Sequence, residues 1–148
     1  MTSGDPYLNR VTGIIAKHGY AVQYVHSDPA TGARPFAYTI GMHRRPNCGY
    51  ELAVSGLPAE TSHGLLNVLA ATLTNGGLDP ADGLEILGVL QDGLALQLRP
   101  VGCTEDLGVI HAVYGNAPLV WQAIWPDQHG RFPGDARCRL PEGAQPLL

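Results

Sequence analysis

Lysine is nearly missing from this chain of 148 residues: Lys17 is the one lysine among nine Lys and Arg residues, and charges of both signs make up only 15%. Thirteen Asp and Glu leave a formal net charge of −4. That excludes a general nucleic-acid binder, whose surface must be basic enough to displace counterions from phosphates. Long apolar runs are missing as well. None approaches the roughly 20 residues needed to span a bilayer. The opening MTSGDPYLNR has no basic flank leading into an apolar stretch, so no signal peptide is expected and the chain reads as cytoplasmic. Cysteine is scarce: Cys48, Cys103 and Cys138 are odd in number and widely spaced, which suits reduced thiols better than a disulfide framework.

The usual spacings of chemical motifs are absent too. Ser55 stands in Val-Ser-Gly-Leu-Pro, without the glycine two residues earlier that a nucleophile elbow needs, and reads better as a turn or capping serine. Asn75-Gly76-Gly77 follows a helical pattern rather than opening one, so its amides are not aimed at a phosphate. No C-x-x-C or H-x-x-x-H pair occurs. His43 with Cys48 and His129 with Cys138 could build a tetrahedral zinc site only if their two loops converged. No metal and no cofactor is expected.

What is present points to one globular domain. Hydrophobic residues at 45% can fill a core, while 19 Gly and 12 Pro call for many turns and short elements. Asp5-Pro6 opens a helix that Gly19 stops. Residues 21–25 and 36–42 alternate as two strands around a loop at 27–35, and 51–55 is a third strand after a basic loop at 43–49. A second helix carries Ser62, Leu65, Leu66, Leu69, Ala70 and Leu73 on one side and ends at Asn75-Gly76-Gly77. Residues 84–90 and 94–101 look like paired strands around Gln91-Asp92-Gly93. Thr104 then caps a third helix, with Glu105 and Asp106 in its first turn and Leu107, Ile110, His111 and Tyr114 inward, before a last strand at 120–125. The fold class is α+β: about six short, largely antiparallel strands with three packed helices in residues 1–134, followed by a loose Gly/Pro-rich tail at 135–148.

Histidine and aromatic residues supply the candidate site. His63 at the edge of its helical stripe and His111 on the third helix are candidates for acid–base work, with Asp127 as their carboxylate. A lone histidine on an apolar face is more commonly a hydrogen-bonded core residue, and Asp127 can equally stabilise a turn. Trp121 and Trp125 face the same way from the last strand and, with Tyr24 and Tyr38, can line a pocket, though tryptophans also simply fill cores. Arg131 can orient an anionic group. Arg34, Arg44 and Arg45, with Arg131, Arg137 and Arg139, would form an anion site if their loops met; scattered solvated arginines are the plainer alternative.

Four segments together resemble a bacterial family, domain of unknown function 4262. They are Gly19-Tyr20-Ala21-Val22-Gln23-Tyr24-Val25, Pro35-Phe36-Ala37-Tyr38-Thr39-Ile40-Gly41, Glu51-Leu52-Ala53-Val54-Ser55-Gly56-Leu57-Pro58, and Trp125-Pro126-Asp127 with Gly130-Arg131-Phe132-Pro133. The resemblance runs over roughly residues 14–134. The family pattern often has His-Pro before the acidic residue of the third strand, where this chain has Cys48-Gly49-Tyr50, and an aromatic after Phe-Pro, where it has Gly134. No activity comes with the family name. Two functions are therefore expected: a non-catalytic accessory module binding a small molecule or protein partner, or a small cofactor-independent enzyme using His/Asp acid–base chemistry in an aromatic-lined pocket.

Overall fold

The computed structural model describes residues 5–46 and 48–148. Residues 1–4 of the N-terminal stretch and Asn47 of the basic loop lie outside them. Helix α1 (Pro6–His18) begins as the sequence suggests: the Asp5 side chain accepts from the Tyr7 N–H at 2.9 Å, and Pro6 fills a first-turn position whose donor is not needed. Gly19, at φ 92, ends it in the left-handed conformation and returns its N–H to the Ile15 carbonyl at 2.8 Å.

Strands β1 (Ala21–Val25), β2 (Phe36–Ile40) and β3 (Tyr50–Ser55) form an antiparallel run, with Ala21 opposite Ile40 and Tyr38 opposite Ala53. After α2 (Ala59–Gly76) come β4 (Glu85–Ile86), β5 (Leu96–Pro100), α3 (Gly108–Tyr114) and β6 (Leu119–Ile124). The six strands make one mixed sheet in the order β1-β2-β3-β6-β5-β4; β3 and β6 are its one parallel pair.

Both faces are covered. Leu65, Leu66, Leu69 and Leu73 of α2 pack on Leu52, Val54, Trp121, Ala123 and Leu98. On the opposite face Val11 of α1 and Ile110 of α3 meet Tyr38, Ile40, Ala53 and Val120. All six residues of β3 are buried, as a central strand covered on both sides requires. The buried side of α2 is the expected stripe, residue for residue.

Three expectations change. Asp92 (φ 61) and Gly93 (φ 71) do form the tight turn, closed by the Leu94 N–H to Gln91 carbonyl bond at 3.2 Å. Yet the strands pair only at Glu85↔Gln97 and Ile86↔Leu96, because left-handed Gly88 (φ 90) breaks the ascending arm. Helix α3 starts at Gly108 rather than at a Thr104 cap: residues 104–107 form a preceding turn, with the Leu107 N–H on the Thr104 carbonyl at 3.0 Å. Its cap comes from across the sheet, where the Tyr38 hydroxyl accepts the Val109 N–H at 3.0 Å.

The C-terminal tail is tied down rather than loose. Gln145 bonds both backbone groups of Trp125, accepting its N–H at 2.7 Å and donating to its carbonyl at 2.8 Å. The Pro146 carbonyl accepts from the Ser55 hydroxyl at 2.6 Å and the Gln122 amide at 2.9 Å, and the Leu148 N–H donates to Gln122 at 2.9 Å. The Gln145 side-chain amide thereby stands in for a strand partner.

Candidate functional site

Near the start of β3 a carboxylate is sealed in the core. Glu51 is 0% exposed, a placement that costs several kcal/mol unless its lone pairs are filled. They are filled. Oε1 accepts from the Thr39 hydroxyl at 2.7 Å and the Met42 N–H at 3.2 Å. Oε2 accepts from the N–H groups of Gly41 at 2.9 Å and His43 at 3.1 Å, and from the Nδ1–H of His43. Met42–Arg44 is a single 3-10 turn, so Glu51 caps that turn from a neighbouring strand.

The local sequence makes this cradle. Gly41 sits at φ 102, and a Cβ there would lie 2.9 Å from Ile15 Cγ2 and 3.2 Å from the Tyr114 hydroxyl. Only glycine allows that close approach. Thr39 accepts the Leu52 N–H on its own hydroxyl at 2.8 Å, replacing a ladder bond and ending the β2–β3 pairing just where Glu51 needs room.

His43 is held from two sides. Its Nδ1–H is on Glu51, its ring meets that of Tyr114 edge-on at 4.7 Å, and its side chain keeps 13% exposure. Every buried side-chain nitrogen or oxygen among the described residues has a partner. Nε2 of His43 has none, so this nitrogen opens to solvent. Arg44 lays its guanidinium 5.1 Å over the Tyr114 ring. Burial pushes the Tyr114 hydroxyl pKa up, the charge of Glu51 adds to this, and Arg44 opposes it, so the phenol stays protonated.

A second feature lies at the β1 edge. A cleft of about 280 Å³ is lined by Ile14 and His18 of α1, Tyr20, Ala21 and Val22 at the start of β1, and His63 and Asn67 of α2. The Tyr20 hydroxyl donates to Asn67 at 2.7 Å, and the Arg45 guanidinium stands 5.8 Å over the Tyr20 ring.

The residues singled out from the sequence are distributed among several places. His63 is exposed in this cleft. His111 is half-buried on α3 with Nε2 3.0 Å from the Thr104 carbonyl. Asp127 gathers the N–H groups of His129, Arg131 and Arg139 at 2.9, 3.0 and 2.8 Å; these bonds, that of Arg131 first, hold its pKa below the ordinary value. It organises the loop after β6.

Tyr24, Trp121 and Trp125 share the α2-side core; the Tyr24 hydroxyl donates to the Leu57 carbonyl at 3.0 Å and Trp125 Nε1 to the Ser55 carbonyl at 2.8 Å. Tyr38 lies on the opposite face, 1% exposed, with its pKa pushed up to about 12 by burial. Arg131 joins Arg99 and Arg137 along an open groove of about 610 Å³, apart from Arg44 and Arg45. Cys48 donates to the Tyr50 carbonyl and Cys138 to that of Arg131. Among the described residues no three His, Cys, Asp or Glu gather around a metal position.

Sequence reasoning passed over Glu51 and His43 as a pair. The available signal was a lone acid opening an otherwise apolar strand, Glu51-Leu52-Ala53-Val54, eight residues after a histidine.

Fold and site define a class: a single α+β domain with a six-stranded mixed sheet, helices on both faces and a buried carboxylate on a central strand paired with an imidazole from the adjoining turn. The chain belongs to the family described as domain of unknown function DUF4262, which it matches over residues 14–139. The residues that dock the tail, 144–148, lie beyond that match. Comparisons with curated proteins and with solved structures give no match. No helix among the described residues is long and apolar enough to cross a membrane.

Proposed function

We propose that this protein is a binding module that takes up an extended, acidic segment of a partner protein along the free edge of β1. The observation that carries this reading is the cleft whose floor is β1, the terminal strand of the sheet, and whose walls are α1 and α2. An edge strand offers a row of backbone donors and acceptors, and an added strand gains affinity from them while pockets alongside read its side chains.

Charge selects the partner. The elements around the cleft carry Arg10, Lys17, His18 and His63, with Arg45 packed against Gly19, while Glu60 is the one acid of α1, β1 and α2. This local excess of cations stands out on a chain of net charge −4. Farther along, Gln23 covers the edge: its amide donates to the Tyr24 carbonyl at 3.3 Å and its oxygen accepts from the Tyr7 hydroxyl. A bound strand exchanges these contacts for backbone ones.

A phage-displayed library of random ten-residue peptides, selected on the full chain, tests the proposal. Enriched peptides should carry carboxylates, slow amide exchange across Ala21–Gln23, and lose binding to the Lys17→Glu/His63→Asp variant. Peptides that protect other segments, or indifference to the charge reversal, would overturn it.

A further inference from the structure

The His43–Glu51 pair has no part in strand addition, yet its carboxylate accepts five hydrogen bonds from its surroundings. A carboxylate bonded to Nδ1–H fixes both the ring orientation and the tautomer, leaving a lone pair on Nε2. This is how hydrolytic dyads present an imidazole. Here the carboxylate is 0% exposed, is itself fixed by Thr39 and three backbone N–H groups, and cannot swing away. Nε2 opens to solvent, and Arg44 holds its guanidinium on the Tyr114 ring that also packs edge-on against His43.

We infer that His43 is a nucleophilic histidine for acyl transfer, taking activated acyl compounds that carry a carboxylate for Arg44. The Nε2 lone pair attacks the acyl carbon and an N–C bond forms. The C–O bond to the leaving alcohol breaks, and its electron pair departs with the alkoxide, which takes a proton from water. The positive charge on the acyl-imidazole is met by Glu51, which shares the Nδ1 proton. Water then attacks the same carbon and gives one proton to the hydroxide left by the first step, the C–N bond breaks, its pair returns to Nε2, and the carboxylic acid leaves. Glu51 is a positioning residue: it touches the ring and not the acyl group.

The chain carries its own controls, since six histidines compete within one molecule. Full-length protein is treated with limiting diethyl pyrocarbonate, and each histidine's carbethoxylation rate is followed by peptide mass spectrometry. Exposure alone predicts that His26 and His129 react faster than His43, whose side chain is 13% exposed. A nucleophilic dyad predicts that His43 leads them by about tenfold, a margin set well below the roughly 10²–10⁴-fold that positioned proton-transfer groups contribute. His43 reacting more slowly than His26 and His129 would overturn the proposal without any variant.

Two further readouts separate chemistry from folding. Glu51→Gln, judged folded by amide exchange in α2, should erase the lead of His43, and Glu51→Asp should restore part of it. With 4-nitrophenyl acetate and the monoanionic 4-nitrophenyl glutarate as substrates, the wild type should favour the glutarate and Arg44→Gln should bring the ratio of the two rates close to one. An unchanged ratio removes Arg44 from the proposal. Peptide selection at β1 is blind to all of these outcomes, so the two proposals fail independently.

Discussion

Gly56→Ala is the substitution that most directly interrogates how the tail is held. Gly56 sits at φ 82, and a Cβ built there would stand 2.1 Å from the Ala144 carbonyl oxygen and 3.2 Å from Trp125 Cζ2. The left-handed backbone alone costs an alanine about 1–2 kcal/mol. The contact with Ala144 involves backbone, so the tail must lift. Its hydrogen bonds to Ser55, Gln122 and Trp125, at about 1 kcal/mol each, are nearly offset by the freedom its residues regain, about 1 kcal/mol apiece. What is not offset is the stranding of Ser55 and Gln122, each 1% exposed, together with the loss of Leu148 from the apolar cluster beneath α1 and α3. The whole comes to about 2–4 kcal/mol, or a melting temperature lower by roughly 5–15 °C in a domain of this size. Calorimetry gives the first quantity, and amide exchange at Leu148, whose N–H is bonded to Gln122, reports whether the tail has lifted. Gly49→Ala, where nothing lies within 4 Å of the added carbon, serves as the control. A Gly56→Ala protein that melts with the wild type and keeps Leu148 protected would refute the reasoning.

Three further outcomes follow from the same geometry. Gly64 lies within α2 with open space around it, so Gly64→Ala should stabilise the protein by about 1 kcal/mol in urea unfolding. Tyr38→Phe leaves the Val109 N–H without its acceptor and should cost about 1–2 kcal/mol, whereas Thr104→Ala should cost less than about 0.5 kcal/mol; equal effects would return the cap to Thr104. Asp127 has its carboxyl pKa held down in the folded state, so its contribution is complete above the unfolded value of about 3.9 and is lost as pH falls through the lower folded value. The gap in urea midpoint between wild type and Asp127→Asn should therefore be widest near neutrality and close in acid.

The legible parts of this fold were those governed by local rules. The 3.6-residue stripe of α2 and the Asp5-Pro6 start and Gly19 stop of α1 appear as read, because helix periodicity and caps depend on near neighbours. Alternation placed Trp121 and Trp125 on one side of the last strand, and both pack against the α2-side core although β6 itself ends at Ile124. Apart from the hairpin broken at Gly88, the misreadings involve partners distant in sequence. Thr104 had every local attribute of a cap, but Tyr38, far earlier in the chain, supplies the acceptor. The tail is poor in periodic signal, and its anchoring depends on Ser55 and Gln122, which bond each other and keep further polar groups for the tail. Glu51 likewise looked like a strand-edge acid; only the glycine turn at Gly41, folded back on it, turns it into the hub of a site. Chemistry assigned by residue type, to His63, His111 and Asp127, gave three addresses instead of one, since hydrogen-bond partners decide a histidine's role and spacing does not reveal them.

The parallel seam between β3 and β6 has a consequence for the order in which the molecule is made. Residues 50–53 find their partners only at 119–122, so a ribosome that has delivered β1, β2, β3 and α2 has delivered a half-sheet with its most buried strand bare along one side. Closing that side waits for most of the remaining chain, and until then Leu52 and Val54 offer an apolar, hydrogen-bond-hungry border to any strand nearby. The same seam makes the chain divisible: two pieces cut in the exposed residues 77–83 would each keep a self-contained set of neighbouring strands, with one line along which to recognise the other. Two halves that share one seam in the sheet, with α2, the Tyr38–Val109 bond and the docked tail clasping across it, are a natural candidate for splitting into a pair of fragments whose reunion reports that they have been brought together.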